Sequence, residues 1–288
     1  MFKEFAAGAM LALTASTVTA ATIDYTLGAT VRVGNNSTVS ASEATGGFVS
    51  LPDNASQTAT IDDSVDFGPG SGAATATYDI NQETGRFRFG TTTNITAPSS
   101  PVTSSASANF DLLLAETFTI TGTGNITFRL AIDGTLSTAT TRNDGGEGAR
   151  FDTLIRLVDT SSGFDVLGTD RTFARAGVGE TTAVDTLLEF TANITQSQDY
   201  LFNLSMSANA RVSERGFGNS GASLADFTNT AFLWFEADDT LTVTASDARF
   251  LSDATGGTVA PVPLPAGMWM LVLGLGGLHL LKRRKAAV

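Results

Sequence analysis

The sequence contains no cysteine. A disulfide framework is therefore excluded, together with thiolate metal sites and cysteine nucleophiles. Histidine is nearly as scarce: His279 is the only one, and it lies in the C-terminal tail. Lysine occurs only at Lys3, Lys282 and Lys285. Residues 21–260 thus hold no His, Cys or Lys, and their twelve cationic residues are all arginine. This removes Ser-His-Asp and Cys-His catalysis, zinc held by His or Cys, and lysine Schiff bases from the middle of the chain. No phosphate-binding glycine fingerprint occurs; the Gly-rich pieces fall between apolar runs, where turns are expected. Positive charge is also short. The 288 residues carry a net charge of −12, which leaves no phosphate-binding footprint and argues against nucleic acid as a partner. Such acidity favours solubility and attracts divalent cations.

What is present is a period of two. Ile23, Tyr25, Leu27, Ala29, Val31 and Val33 alternate with polar or small residues, as do Tyr200, Phe202, Leu204, Met206, Ala208, Ala210 and Val212. Shorter runs centre on Ala76, Phe128, Phe190 and Val243. Alternate side chains of a strand point to opposite faces, so each run has one buried and one wet face. Threonine fills many wet positions, as β-branched residues do on exposed strands. Gly/Asn/Asp clusters separate the runs: 35–37, 68–72, 133–134, 143–146, 161–163 and 216–219. Ten to twelve strands are expected, in an all-β, antiparallel β-sandwich of jelly-roll type over residues 21–251. Residues 37–71 read as a decorated loop with one strand or as an insertion, residues 98–107 as a linker, and residues 223–227 as one short helical turn. A single body is preferred over two, because neither half has a complete core of its own.

Both ends differ from this body, and terminal hydrophobic helices are expected there. Residues 1–20 have the pattern of a secretory signal: Lys3 offset by Glu4, an apolar stretch from Phe5 to Leu13, then Val18 and Ala20 at small-residue positions before a cut. The alternative is a short buried helix. Residues 252–265 are a tether of small residues and proline. Residues 266–281 carry no charge; a helix of that length covers roughly 24 Å, a minimal span of a bilayer core about 30 Å thick. Lys282, Arg283, Arg284 and Lys285 follow at once, and basic clusters stay on the cytoplasmic side, so residues 282–288 would stop transfer. With an export signal in front, the body then lies outside the membrane. A buried C-terminal helix with a solvated basic cap is the alternative. Between tether and span, Val262, Pro263, Leu264, Pro265 and Ala266 form an extended segment, because two prolines fix φ and remove donors. An extended backbone at the membrane surface suits a processing enzyme.

The order VPLPA, apolar span, KRRK resembles the sorting tails of exosortase-processed bacterial proteins, the VPLPA variety of the PEP-CTERM group. The resemblance covers residues 262–288. It implies recognition of Val262, Pro263, Leu264, Pro265 and Ala266 by an exosortase-type transpeptidase, cleavage near that motif, and delivery to the cell surface or extracellular matrix. The chain departs from the main group in lacking Pro-Glu-Pro, which implies a variant enzyme, and in carrying His279 within the span. Residues 225–231, 239–243 and 250–251 are loosely similar to the closing strands of such proteins.

Candidate chemistry in the body is limited to carboxylates and aromatics. Glycoside hydrolysis needs only two facing carboxylates, for which Glu43, Asp62, Asp63, Asp144, Glu147, Asp238 and Asp239 are candidates by type. Neighbouring carboxylates in a strand point to opposite faces, so neither Asp pair makes a dyad; solvated turn residues are the simpler reading. Asp144 and Glu147, in the glycine-rich loop 143–148, are a weak calcium candidate, flanked by Arg142 and Arg150, which compete as counter-ions. No other cofactor is expected. A sugar-binding face needs exposed aromatics. Trp234 is apolar on both flanks and reads as core, Phe87 and Phe89 alternate with Arg86 and Arg88 as a buried face against a wet one, and Phe217 is the aromatic expected to be exposed. The leading expectation is a non-enzymatic, exported structural or adhesive protein. The alternatives are a module binding extracellular polysaccharide and a carboxylate-dependent hydrolase.

Overall fold

The computed structural model describes residues 22–33, 37–44, 49–50, 56–67, 70–97, 103–140, 148–215, 219–252 and 254. These form fourteen strands: β1 (Thr22–Val33), β2 (Ser37–Ala44), β3 (Val49–Ser50), β4 (Ser56–Phe67), β5 (Gly70–Asn81), β6 (Arg86–Thr96), β7 (Thr103–Thr121), β8 (Gly124–Ala139), β9 (Gly148–Asp159), β10 (Asp165–Ala176), β11 (Thr181–Ile194), β12 (Gln198–Arg215), β13 (Ser220–Ala237) and β14 (Thr242–Ala245). The described part is all-β, with every strand pairing antiparallel.

Two sheets result. Sheet A runs β10-β9-β12-β7-β1-β2, with β14 on β7 and β3 on β1, and sheet B runs β11-β8-β13-β6-β5-β4. Period two decides what each strand buries. On β7 the even residues from Ser104 to Ile120 face inward, and on β12 Tyr200, Phe202, Leu204, Met206, Ala208, Ala210 and Val212 do. The two inner faces meet over a shared aromatic core. Phe128 of sheet B stacks on Phe202 of sheet A with ring centres 4.7 Å apart and lies 5.7 Å from Phe118. Phe89 and Phe227 of sheet B meet Phe110 and Phe151 of sheet A at 4.8 and 4.2 Å. Each such pair adds about 0.5–1.5 kcal/mol beyond its buried area.

Several sequence expectations change. Residues 37–71 hold more than one strand: β2, β3, β4 and the start of β5 fall there, and β2 and β4 are the outer strands of the two sheets. Residues 103–107 are not linker but the start of β7, which pairs with β1 from the other side of residues 98–102. Residues 223–227 are not a helical turn. They lie in β13, because Ala225 and Phe227 alternate onto the inner face, and the apparent helical spacing is broken by a register shift between Phe227 and Ala231.

At one side the two sheets end on β10 and β11, which are consecutive in the chain. β10 bulges between Val166 and Gly168, and a Cβ at Gly168 would come within 2.3 Å of the Phe190 ring of β11. The glycine thus admits the ring of the facing sheet edge. Two residues on, the Asp170 carboxylate accepts the backbone N–H of Glu189 on β11 at 2.8 Å. An inward-pointing acid on one edge strand therefore engages an amide of the other.

Candidate functional site

The end of the described chain returns to the core at a polar cluster. After β14, residues 246–251 fold back across one end of the two sheets, and Phe250 and Leu251 are buried in the common core. Leu251 has φ of 57°, a left-handed value that bulky residues seldom adopt, and it donates its N–H to the Gln82 carbonyl at 2.9 Å. Gln82 sits in the turn between β5 and β6. That turn requires Gly85, with φ of 65°, because a Cβ there would lie 2.0 Å from the Leu233 carbonyl oxygen.

Glu116, from the inner face of β7, is 1% exposed. Its Oε1 accepts the Ser246 hydroxyl at 2.7 Å and the Asp247 N–H at 3.0 Å, while Oε2 has no hydrogen-bond partner. Asp247, 6% exposed, accepts Gln82 Nε2 at 3.3 Å and pairs with Arg249 at 3.4 Å. Gln82 Oε1 is a second buried acceptor without a partner. Burial, with the Asp247 charge adding to it, pushes the Glu116 carboxyl up to about 7; the donors from Ser246 and Asp247 oppose that rise. A proton on Glu116 thus replaces an uncompensated charge in the core with a neutral acid. The cluster holds the last described segment against both sheets.

This cluster is absent from the sequence expectations, though a signal exists. Leu112, Leu114, Glu116, Phe118 and Ile120 share one phase, so Glu116 is a charged residue in a core-facing register.

The expected site residues fare differently. Val262, Pro263, Leu264, Pro265, Ala266, Lys282, Arg283, Arg284, Lys285, Asp144, Glu147 and Phe217 all lie outside the described residues. Asp62 and Asp63 occupy successive register positions in β4, opposite Thr75 and Ala74, and Glu43 lies opposite Leu27. Asp238 accepts the Asn125 N–H at 2.7 Å and organises an exposed turn beside Asp239. Phe87 and Phe89 are buried, and Arg86 and Arg88 lie on the opposite face sharing Asp79 at 3.8 Å each, as their alternation predicts. Trp234 is buried as expected, at 5% exposed, but it lies in phase with Phe232 on the outer face of sheet B rather than in the common cluster. Its flanks Leu233 and Phe235 take the inner positions. Among the described residues no group of three or more His, Cys, Asp and Glu is placed to hold a metal ion.

No family model matches the chain, and no characterised protein matches it in sequence.

Proposed function

We propose that this is an exported, non-enzymatic surface or matrix protein, whose body is a jelly-roll sandwich and whose tail from Val262 onward is a processed sorting signal. The strand order supports the jelly roll. Within β6 to β13, one sheet reads β6-β13-β8-β11 and the other β7-β12-β9-β10. That is two Greek keys wound together. The terminal hydrophobic helices at 1–20 and 266–281 belong to the same proposal, as signal and transient membrane span.

The observation that carries the reading is where the body ends. Phe250 and Leu251 are core residues, and the VPLPA motif begins eleven positions after Leu251. The intervening residues reach at most about 35 Å when extended. An exosortase-type enzyme at the membrane surface would cut beyond the last core residues, and the body would leave intact. Mass spectrometry of the mature protein from its native host tests this. A C-terminus between Val262 and Ala266 is the expected result, and a chain still ending at Val288 overturns it.

Hydrolysis by two carboxylates has less support. Among the described residues the carboxyls of Glu116 and Asp247 lie near each other, but both are buried, at 1% and 6% exposed, and sugar has no access to them.

A further inference from the structure

The arginines of the outer face of sheet A are not arranged like those elsewhere. Arg150 on β9 lies directly opposite Arg175 on β10. Arg211 on the adjoining strand β12 is one residue pair further along, opposite Gly148, and Asn209 stands opposite Arg150. All three arginines are exposed, on the face opposite Ala149, Phe151, Ala208 and Ala210, which are buried. None of the three makes an ion pair among the described residues, whereas Arg171 two positions before Phe173 is paired with Asp152. Like charges directly opposed across an antiparallel pair are destabilising. Elsewhere the outer positions of these sheets carry Thr, Ser and Asn in abundance, so nothing in the fold requires two cations here.

The same patch carries an aromatic. Phe173 is 59% exposed, shares the phase of Arg175, and lies diagonal to Arg150. Strands are about 4.8 Å apart and like-facing residues about 6.8 Å along a strand, so Phe173, Arg175, Arg150 and Arg211 span a strip of roughly 10 by 14 Å. A planar guanidinium matches a carboxylate with two parallel donors, and an exposed ring offers a flat apolar surface to the C–H face of a pyranose. Asn209, whose Nδ2 donates to the Ala108 carbonyl, lies beside Arg150 on the adjoining strand.

We propose that this strip of sheet A binds an acidic polysaccharide, with Arg150, Arg175 and Arg211 taking the carboxylates of uronate-type sugars and Phe173 stacking on a ring. Charge complementarity selects the occupant: the one carboxylate in the strip, Asp152 opposite Phe173, is taken by Arg171, so Arg150, Arg175 and Arg211, on a chain of net charge −12, suit a short stretch of sparsely charged polymer. A nucleic acid, with one charge per about 1.7 Å of duplex, needs a longer continuous basic track. The inference deepens the proposed placement in a surface or matrix layer. Its test needs no tail processing, so a failure of either leaves the other standing.

The test is binding of full-length protein in mild detergent to polygalacturonate by isothermal titration calorimetry. Dextran and carboxyl-reduced polygalacturonate serve as neutral controls. Binding is expected to polygalacturonate alone, to weaken with salt, to fall at least tenfold in Arg150→Ser/Arg175→Ser, and to fall severalfold in Phe173→Ala. Arg156→Ser, an exposed arginine three like-facing positions from Arg150, is expected to leave it unchanged. These are exposed positions, and circular dichroism verifies that each variant folds. The proposal is overturned by absence of binding at low salt, by equal binding of the neutral polymers, by equal or tighter binding of duplex DNA, or by indifference to the Arg150/Arg175 pair.

Discussion

The outer faces of the two sheets use the same residue in opposite ways. On sheet B every described arginine has a carboxylate: Arg86 and Arg88 share Asp79, and Arg129 reaches Glu189 at 2.5 Å on one neighbour strand and Glu236 at 2.5 Å on the other. Those two acids hold the Arg129 guanidinium firmly protonated, above its already high ordinary value. On sheet A only Arg171 is paired in this fashion among the exposed arginines of β9, β10 and β12, while Arg150 and Arg175 face each other. Arginine on sheet B joins strands to one another. At Arg150, Arg175 and Arg211 of sheet A it has no carboxylate partner among the described residues. The lesson is that composition, with twelve arginines in an acidic body, says little until pairing is known.

The difference can be broken or sharpened by experiment, and the largest effect sets the scale. Phe128→Ala removes a ring that meets Phe118 and Phe202 of the facing sheet, and should cost about 3–5 kcal/mol in urea unfolding. Such a loss would affect both outer faces alike, as expected of a core they share. A loss below about 1 kcal/mol would mean that the sheets are not held by this cluster.

Next is the Glu116 cluster, which lies between the sheets. The native carboxyl keeps its proton up to about pH 7, against about 4.5 in the unfolded chain. Its contribution is therefore fully present below pH 4.5, declines as pH rises towards 7, and stays lost above. At about 1.4 kcal/mol per unit this amounts to roughly 3 kcal/mol across the interval. Glu116→Gln should flatten that part of the pH–stability profile and leave the variant more stable than the parent at pH 8, as read by thermal melting. A parent profile that rises between pH 5 and 7 would contradict it. The comparison of parent and variant isolates this group.

On the outer faces the effects shrink and should separate in sign. Arg129→Ala removes both its ion pairs and part of the cover over half-buried neighbours, and should cost about 1 kcal/mol, less in high salt. Arg150→Ser should change stability by no more than about 0.5 kcal/mol and in the stabilising direction, since it relieves the repulsion from Arg175. Equal losses for both variants in denaturant titrations would erase the distinction between the faces.

Much of this architecture was legible in the sequence wherever one face of a strand is apolar and the other is not. β1 alternates from Ile23 to Val33 and β12 from Tyr200 to Val212, and Phe87 and Phe89 are buried as their phase demands. β10 escaped notice for a physical reason. It is an edge strand, with exposed Phe173 and Arg171 on one side and half-buried Asp170 and Thr172 on the other, so neither phase is apolar. The start of β7 resembled linker because its inward residues, Ser104, Ala106 and Ala108, are as small as its outward ones. Trp234 is buried as its apolar neighbours suggest, but a run apolar on both faces hides which face a residue takes. The arginine strip was not legible, because Arg150, Arg175 and Arg211 are brought together by three strands distant in sequence and only register reveals them. The Glu116 cluster required the partners from Gln82 and Asp247, 34 and 131 positions away.

The contact from Asp170 to the Glu189 amide has a consequence for life in a crowd. A strand at the margin of a sheet is an invitation to polymerise, because its free donors will accept any extended chain that comes near. Here a donor in the middle of that margin is already spoken for by an acid whose own charge repels other acidic copies. At this margin, copies crowded together meet an occupied donor and a like charge rather than a free strand edge.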